Sequence, residues 1–240
     1  TSSALAPDAP ATRANLAAAH GHADPARGWH PGRGPILRIC DWMADVVATL
    51  AALGYSLVGL AASDGGEVRL GGAGQSSTMP QKQNPVAPSV LVALNHQMGG
   101  LRASLQAASV HQHQRDGAAW FTEWMVLPQI ALCAAAAVTT SARLIDDMEP
   151  VPDRMAANAS GLGLIHAEAL SFALAARMPR PKAQAETKSM VAKAIDAKTP
   201  LADIARAAYP DLPADLFQIS AQMGHAPDDA RAFARRVDAL

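Results

Sequence analysis

One short segment concentrates the residue types that proton transfer requires. Residues 71–85 read G-G-A-G-Q-S-S-T-M-P-Q-K-Q-N-P. A serine hydroxyl such as that of Ser76 can exchange a proton near neutral pH only if backbone N–H groups and a nearby cation stabilise its alkoxide, and Lys82 is such a cation. The glycines make the backbone mobile enough to close over a substrate. The segment predicts a catalytic serine loop or, more simply, a solvated loop that leads into a helix.

The end of this segment, residues 76–85, resembles the S-S-x-M-P-x-K-x-N-P signature of the fumarase/aspartase superfamily. The resemblance implies that Ser76 is the catalytic acid or base, which delivers or removes the proton beside a substrate carboxylate. It also implies that Lys82 and Asn84 bind that carboxylate. The candidate substrate-binding residues within the signature are Ser77, Met79, Lys82 and Asn84.

Two positions depart from the superfamily pattern. Gln75 stands where the superfamily usually has glycine, a position that bears on the hinge of the loop. Ser89 stands where fumarases, argininosuccinate lyases and adenylosuccinate lyases carry a glutamate that pairs with a catalytic histidine. The resemblance therefore implies that the usual hydratase/lyase relay is absent.

A second group of chemically active residues, 113–124, reads H-Q-R-D-G-A-A-W-F-T-E-W. Taken alone it predicts a charged turn that enters an aromatic helix, with Arg115 and Asp116 paired at the surface. The segment is similar to the H-E-R-D turn of adenylosuccinate lyases, but Trp120 and Trp124 replace the serine and arginine that hold a nucleotide phosphate there. Two indoles cannot clamp a phosphate dianion, so the resemblance favours a compact organic acid as substrate.

The combined pattern resembles the 3-carboxy-cis,cis-muconate cycloisomerase branch of the superfamily, which acts in the protocatechuate (β-ketoadipate) pathway of aromatic catabolism. That branch lacks the glutamate and has a similar turn before an E-W pair, and Trp29-His30 followed by Arg33 matches its segment before the first long helix. The implied reaction is the addition of a substrate carboxylate to an alkene to form a γ-lactone. Further candidate binding residues implied by the resemblance are Arg33, Arg115 and Glu123.

Two other functions stay open. One is a different lyase of the superfamily, either fumarate-releasing or similar to adenylosuccinate lyase. The other is a non-catalytic helical oligomer of the same descent. No cofactor is implied, and a metal site is not expected, since no cluster of Cys, Asp or Glu supports His20 and His22 as ligands.

The resemblance also implies a homotetramer in which long helices of all subunits form a central bundle and several chains share each site. Members of the superfamily begin with a longer helical region that carries a histidine motif, and nothing before Trp29 resembles it. We therefore expect either a piece of a longer protein, matching the part of the family that follows this region, or a degenerate relative that has lost half of its site.

Composition favours an all-α fold. Half of the 240 residues are hydrophobic, chiefly through alanine, while only 4% are aromatic. Alanine is the best helix former, and the residues that favour strands are scarce.

The net charge of −1 predicts no field that would attract nucleic acid or an anionic membrane. The apolar run Met125 to Val138 is too short for a membrane span. Cys40 and Cys133 lie in apolar helical patterns, which favours a reduced, cytoplasmic protein.

Hydrophobic periodicity divides the chain into three parts: a lead-in segment (1–34), a central bundle of long helices with the serine loop (35–149, loop 71–85) and a smaller helical domain (150–240). The first long helix begins near Ile36 and ends near Ser63, and the others span about 86–112 and 119–147. In the last part we expect shorter helices at about 153–158, 161–177, 182–197, 200–208, 213–218 and 227–239.

Overall fold

The computed structural model describes residues 7–71, 74–75 and 83–239. The chain forms two compact units, residues 1–150 and 151–240. In chain order the first unit contains α1 (Ala9–Ala19), α2 (Gly34–Leu60), β1 (Val68–Leu70), β2 (Gly74–Gln75), β3 (Gln83–Asn84), α3 (Val86–Ala107), α4 (Gly117–Asp147) and β4 (Met148–Pro150). Helices dominate the described residues and strands occur there only as short pairs, so the predicted all-α class is confirmed.

The long helices α2, α3 and α4 pack against one another to form the core of the first unit. α2 and α3 approach closely at Gly54, where a Cβ atom would lie only 2.7 Å from the carbonyl oxygen of Pro88. Only glycine permits this contact without displacing a backbone. The buried face of α2 accordingly consists of small and medium side chains: Cys40, Ala44, Val47, Ala51, Gly54 and Leu57.

The buried faces of the long helices leave out several large apolar side chains. Ile39 of α2 is 49% exposed, whereas Trp124 and Leu132 of α4 are 57% and 69% exposed. The core between the helices combines small residues such as Gly54 with the fully buried Leu91, Met98 and Ile130, and several other large apolar residues lie outside it.

The helices α2 and α4 are 27 and 31 residues long, and by length and composition alone each could cross a membrane. The apolar run from Met125 to Val138, which is too short by itself for a membrane span, lies within the longer helix α4. The shortness of the run therefore does not exclude a span by the whole helix. This is weak evidence for a span, because core helices of other proteins meet the same criterion. Only 28% of the most apolar window of each helix is buried within the chain.

Residues 148–150, directly after α4, form strand β4. This strand pairs antiparallel with β1, with Val68 opposite Pro150 and Leu70 opposite Met148. The backbone N–H of Gly71 then donates to the carbonyl of Asp147 at 2.9 Å, and a Cβ atom at Gly71 would lie 2.7 Å from the Cβ of Asp147. The start of the serine segment is thereby attached to the end of α4.

The second unit contains α5 (Pro152–Ser160), a 3-10 turn (Leu164–His166), α6 (Ala167–Ala175), α7 (Arg180–Ala197), α8 (Leu201–Ala208), α9 (Ile219–Gln222) and α10 (Ala226–Val237). Its core consists of Leu170, Leu174, Ala183, Met190, Ala194, Leu201, Ala205, Leu212 and Leu216.

Two predicted helices of this unit, and one of the first, are shorter than expected or absent. The helix expected at 161–177 starts with the 3-10 turn and ends at Ala175. Residues 213–218 form turns instead of a helix. In the first unit α3 ends at Ala107, before the expected 112, because the chain turns towards α4 and the Gln112 N–H bonds to the Asp116 carboxylate.

Candidate functional site

A short β-hairpin holds the two ends of the serine loop together. In this hairpin β2 pairs antiparallel with β3, so that Gly74 lies opposite Asn84 and Gln75 lies opposite Gln83. The intervening residues 76–82 lie outside the described part of the chain, and with them four of the predicted site residues, Ser76, Ser77, Met79 and Lys82. Pairing of β2 and β3 brings Gln75 and Gln83, which flank these residues, side by side.

The departure at Gln75 falls in the stem of this hairpin. Gln75 is a strand residue, and it is not among the described residues with positive φ. An extended backbone suits any residue, so glycine is not required there for conformational reasons.

Asn84 occupies the other strand of the stem, directly before α3. It is half-buried, and Pro85 after it is the N-cap residue of α3. The hydroxyl of Ser89 donates to the carbonyl of Pro85 at 2.8 Å, within the first turn of the helix. Ser89, which stands in place of the relay glutamate, thus bonds to the backbone at the start of its own helix. Asn84 is held by the β2–β3 pair on one side and by the start of α3 on the other.

A buried ion pair joins Arg33 to Glu123. The Arg33 Nε donates to Glu123 Oε2 at 2.7 Å, and Nη2 donates to Oε1 in the same two-pronged arrangement. The Arg33 Nη1 donates to the carbonyl of Trp29 at 2.8 Å. The Arg33 and Glu123 side chains are 16% and 6% exposed. Arg33 is the N-cap residue of α2, so the pair connects the start of this helix to the second turn of α4.

This pair changes what Arg33 can offer a substrate. Of the five N–H donors of a guanidinium, three are used in these bonds, which leaves two. The Glu123 carboxylate also neutralises much of the positive charge, since the two groups are in direct contact in a poorly solvated place. The structure shows both residues holding the helix ends together, and substrate contact by either stays a prediction.

Asp116 begins helix α4. Its Oδ1 accepts from the Ala119 N–H at 3.1 Å, as an N-cap side chain does, and its Oδ2 accepts from the Gln112 N–H at 2.9 Å. These amides, first that of Gln112 and then that of Ala119, lower the pKa of Asp116 below its usual range. The carboxylate is therefore bound by backbone amides instead of the surface pair with Arg115 considered from the sequence.

Arg115 is exposed beside this cap and makes no hydrogen bond or ion pair with another residue in the described ranges. It is available as a cation for an anionic ligand.

Two features near these residues were missed by sequence reasoning. The rings of His30, Trp120 and Trp124 form a chain, with centroids 6.2 Å apart from His30 to Trp120 and 5.9 Å apart from Trp120 to Trp124. Both ring nitrogens of His111 are buried, and neither has a hydrogen-bond partner. The i, i+4 spacing of the tryptophans could have indicated the first feature. No sequence signal marks the second, because burial of His111 depends on how the turn packs.

The cysteines lie in the core of the first unit. Cys40 and Cys133 are both buried and free, and burial raises the pKa of each thiol. The Cys133 thiol donates to the carbonyl of Leu94 at 3.3 Å. Such thiols pack as small apolar groups. Within the ranges the structure describes, no three His, Cys, Asp or Glu side chains converge as metal ligands would.

Several known proteins are similar to this chain. A 3-carboxy-cis,cis-muconate cycloisomerase of Pseudomonas aeruginosa is 34% identical over 206 residues, which cover 84% of this chain and 45% of that protein. A nitrosuccinate lyase of Streptomyces davaonensis is 31% identical over 184 residues, which cover 75% of this chain and 39% of that protein.

The fold is also similar to that of a solved relative. The crystal structure of a 3-carboxy-cis,cis-muconate lactonizing enzyme from Pseudomonas putida has a TM-score of 0.72 and 30% identity, covering 84% of this chain and 46% of that one. No protein-family model matches the chain.

The chain spans less than half the length of these curated relatives. Sequence and fold agree with the resemblance that the serine segment carries. The chain is thus a relative of the fumarase/aspartase superfamily, with particular similarity to its 3-carboxy-cis,cis-muconate cycloisomerases.

Proposed function

We propose that the protein is an isomerase, a cycloisomerase that converts 3-carboxy-cis,cis-muconate into 4-carboxymuconolactone. The observation that carries this proposal is the serine-loop signature, residues 76–85, whose ends are joined by the β2–β3 hairpin in a chain similar to named cycloisomerases. Pathway membership in aromatic catabolism and a cytoplasmic location belong to the same proposal, the latter supported by the free buried cysteines.

The reaction is an intramolecular addition with no loss of atoms. One carboxylate oxygen of the substrate attacks an alkene carbon, and the alkene electron pair moves towards the neighbouring carboxylate to form an enediolate. The hydroxyl of Ser76 delivers a proton to the carbon that becomes the carbanion centre, which completes the γ-lactone. The same group removes that proton in the reverse direction.

Charge stabilisation is the main task of the site, because the substrate is a tricarboxylate and further charge develops in the enediolate. Lys82 stabilises this charge, and Asn84 orients a carboxylate from the strand β3. Arg115 is exposed at the turn before α4 and supplies a second cation. Arg33 contributes through its two remaining N–H donors while Glu123 keeps its guanidinium in place.

The proposal includes a homotetramer with sites shared between subunits. Large apolar side chains on the outer faces of α2 and α4 support it, among them Trp42 at 65% exposure and Leu132 at 69%. Trp42, Met43, Val46 and Val138 line an apolar groove of about 370 Å³ between these helices. A second copy of the chain would bury these surfaces, since large exposed apolar patches mark interaction sites.

The decisive experiment follows the ultraviolet absorbance of the conjugated diene when 3-carboxy-cis,cis-muconate is added to the purified protein at its full native length. We expect rapid loss of absorbance, and a rate about a hundredfold or more lower in Ser76→Ala, the scale of general acid or base catalysis. Gln81→Ala is the matched control, since the signature leaves that position free, and it should retain most of the activity.

An active Ser76→Ala protein would remove Ser76 from the proposed role. No absorbance loss in the parent would reject this substrate.

A fumarate-releasing lyase is the second candidate, favoured by the similarity to the nitrosuccinate lyase. It predicts fumarate release from substituted succinates, measured by the appearance of absorbance from the new double bond. A protein inactive in both assays would match the non-catalytic oligomer.

A further inference from the structure

The second unit holds an open pocket of about 570 Å³ that includes none of the proposed catalytic residues. Its polar side chains are Ser160, His166, Gln218 and Ser220. Phe217 and Ile219 supply apolar surface. A volume of this size is typical of sites for small molecules.

His166 is the most constrained of these side chains. It is only 6% exposed and ends the 3-10 turn, where its N–H bonds to the carbonyl of Gly163. Its ring meets the ring of Phe217 edge to face at 5.9 Å between centroids. The guanidinium of Arg206 covers the Phe217 ring at 5.5 Å, and Arg206 also donates to the carbonyl of Ala214 at 3.1 Å. Packing therefore fixes the imidazole against one wall of the pocket.

The Nδ1 atom of His166 is buried and has no hydrogen-bond partner. Burial of a polar atom without a partner is costly, and native proteins keep few such atoms. The protein itself encloses this atom, so a ligand in the pocket would lie against the imidazole ring and make its hydrogen bonds to the other polar side chains of the lining.

The lining indicates the chemistry of that ligand. The hydroxyl of Ser160 donates to the carbonyl of Ala157 at 2.8 Å, so it presents lone pairs to the pocket, while the Gln218 amide offers a donor and an acceptor. No aspartate, glutamate, lysine or arginine occurs among the described residues that line it. A charged ligand would leave water without gaining an opposite charge.

Phe217 and Ile219 suit a flat apolar body. We infer that this pocket binds a small uncharged ring compound that carries a hydroxyl group.

Phenol is the probe, and the measurement is the ¹H–¹³C NMR signal of the His166 ring in the full chain, identified by its loss in His166→Asn. We expect phenol to shift this signal in a saturable way, in the millimolar range of a fragment-sized ligand. Anisole keeps the ring but cannot donate a hydrogen bond, so it should bind about tenfold more weakly. The exposed His225 is an internal control whose signal should not move.

A pocket-filling variant separates binding from a general solvent effect. Ala202 lines the pocket at the start of α8, and Ala202→Phe should abolish the saturable shift. Ala207→Phe adds the same ring to an exposed position of the same helix and should leave it unchanged.

The inference is overturned if phenol gives no saturable shift, if Ala202→Phe binds as well as the parent, or if anisole equals phenol. Tighter binding of benzoate than of phenol would overturn the assignment to an uncharged ligand. None of these readouts depends on cycloisomerase activity.

Discussion

Helix α6 of the second unit and helix α4 of the first are both apolar, but α6 exposes one large apolar side chain, Phe172, whereas α4 exposes six: Phe121, Trp124, Met125, Leu132, Val138 and Ile145. Leu170 and Leu174 of α6 are fully buried within their own unit. In α4 the fully buried Ile130 stands two residues before Leu132, which is 69% exposed. The second unit therefore completes a core within one chain, whereas the outer face of α4 has the character of a surface that a partner covers.

Leu174→Ala should produce the largest loss of stability, because it empties a fully buried site in the self-contained core. We expect the free energy of unfolding of the second unit to fall by about 3 kcal/mol. The measurement is denaturant unfolding, with a probe in each unit, since two units need not unfold together.

Phe172→Ala on the same helix is the control for this change. Phe172 is 56% exposed and lies beneath the Arg180 guanidinium, so its loss should cost less than about 1 kcal/mol. Equal losses in both variants would contradict the assignment of Leu174 to a closed core.

Glu123→Gln should have the next largest effect, in the first unit. It leaves the guanidinium of Arg33 without its anionic partner in a poorly solvated place, which should cost about 2 kcal/mol in unfolding free energy. Asp41→Asn is the matched control, because its pair with Arg102 is about half exposed and should contribute less than about 1 kcal/mol. A loss for Glu123→Gln as small as that of the control would show that the ion pair does not hold the helix ends together.

Leu132→Lys tests the exposed face of α4 directly. The unfolding free energy of the single chain should change by less than about 1 kcal/mol, since the side chain is mostly exposed there. The molar mass measured by light scattering should nevertheless fall, because a buried lysine disfavours the proposed subunit interface. Gln184→Lys, at an exposed position of α7, should leave the mass unchanged. A tetramer that survives Leu132→Lys would place the interface elsewhere.

The smallest effect concerns Asp116 and pH. Its pKa in the folded state is lowered by the amides of Gln112 and Ala119, so the stability that its charge adds is present above its unfolded pKa of about 4. That stability is lost as the pH falls through the folded pKa. Asp116→Asn should therefore lower the melting temperature by a few degrees at neutral pH, and the difference from the parent should shrink on acidification below about pH 4. A difference in melting temperature that stays constant with pH would show that titration of Asp116 does not contribute to the stability of the protein.

Much of the fold follows from local patterns. Alanine-rich apolar repeats predicted the long helices, and the bounds of α4 agree with expectation within two residues. Strands β1 and β4 escaped prediction, because three-residue segments carry too little periodicity and exist only through pairing between distant parts of the chain. For the same reason the pairing of Arg33 with Glu123, ninety positions apart, was not foreseen, although both residues had been singled out.

Residue types and short spacings were enough to predict the helical class, the serine signature of Ser76, Lys82 and Asn84, and the charged candidates Arg33, Arg115 and Glu123. These depend on residue type and short spacing, which are local properties. Packing of the helices decided that Gly54 lies at the α2–α3 contact and that Ile130 is buried while Leu132 lies outside, since side-chain volume matters only once two helices approach. It also decided that Arg33 is bound by Glu123 and that His166 borders a pocket, because both depend on segments brought together by packing.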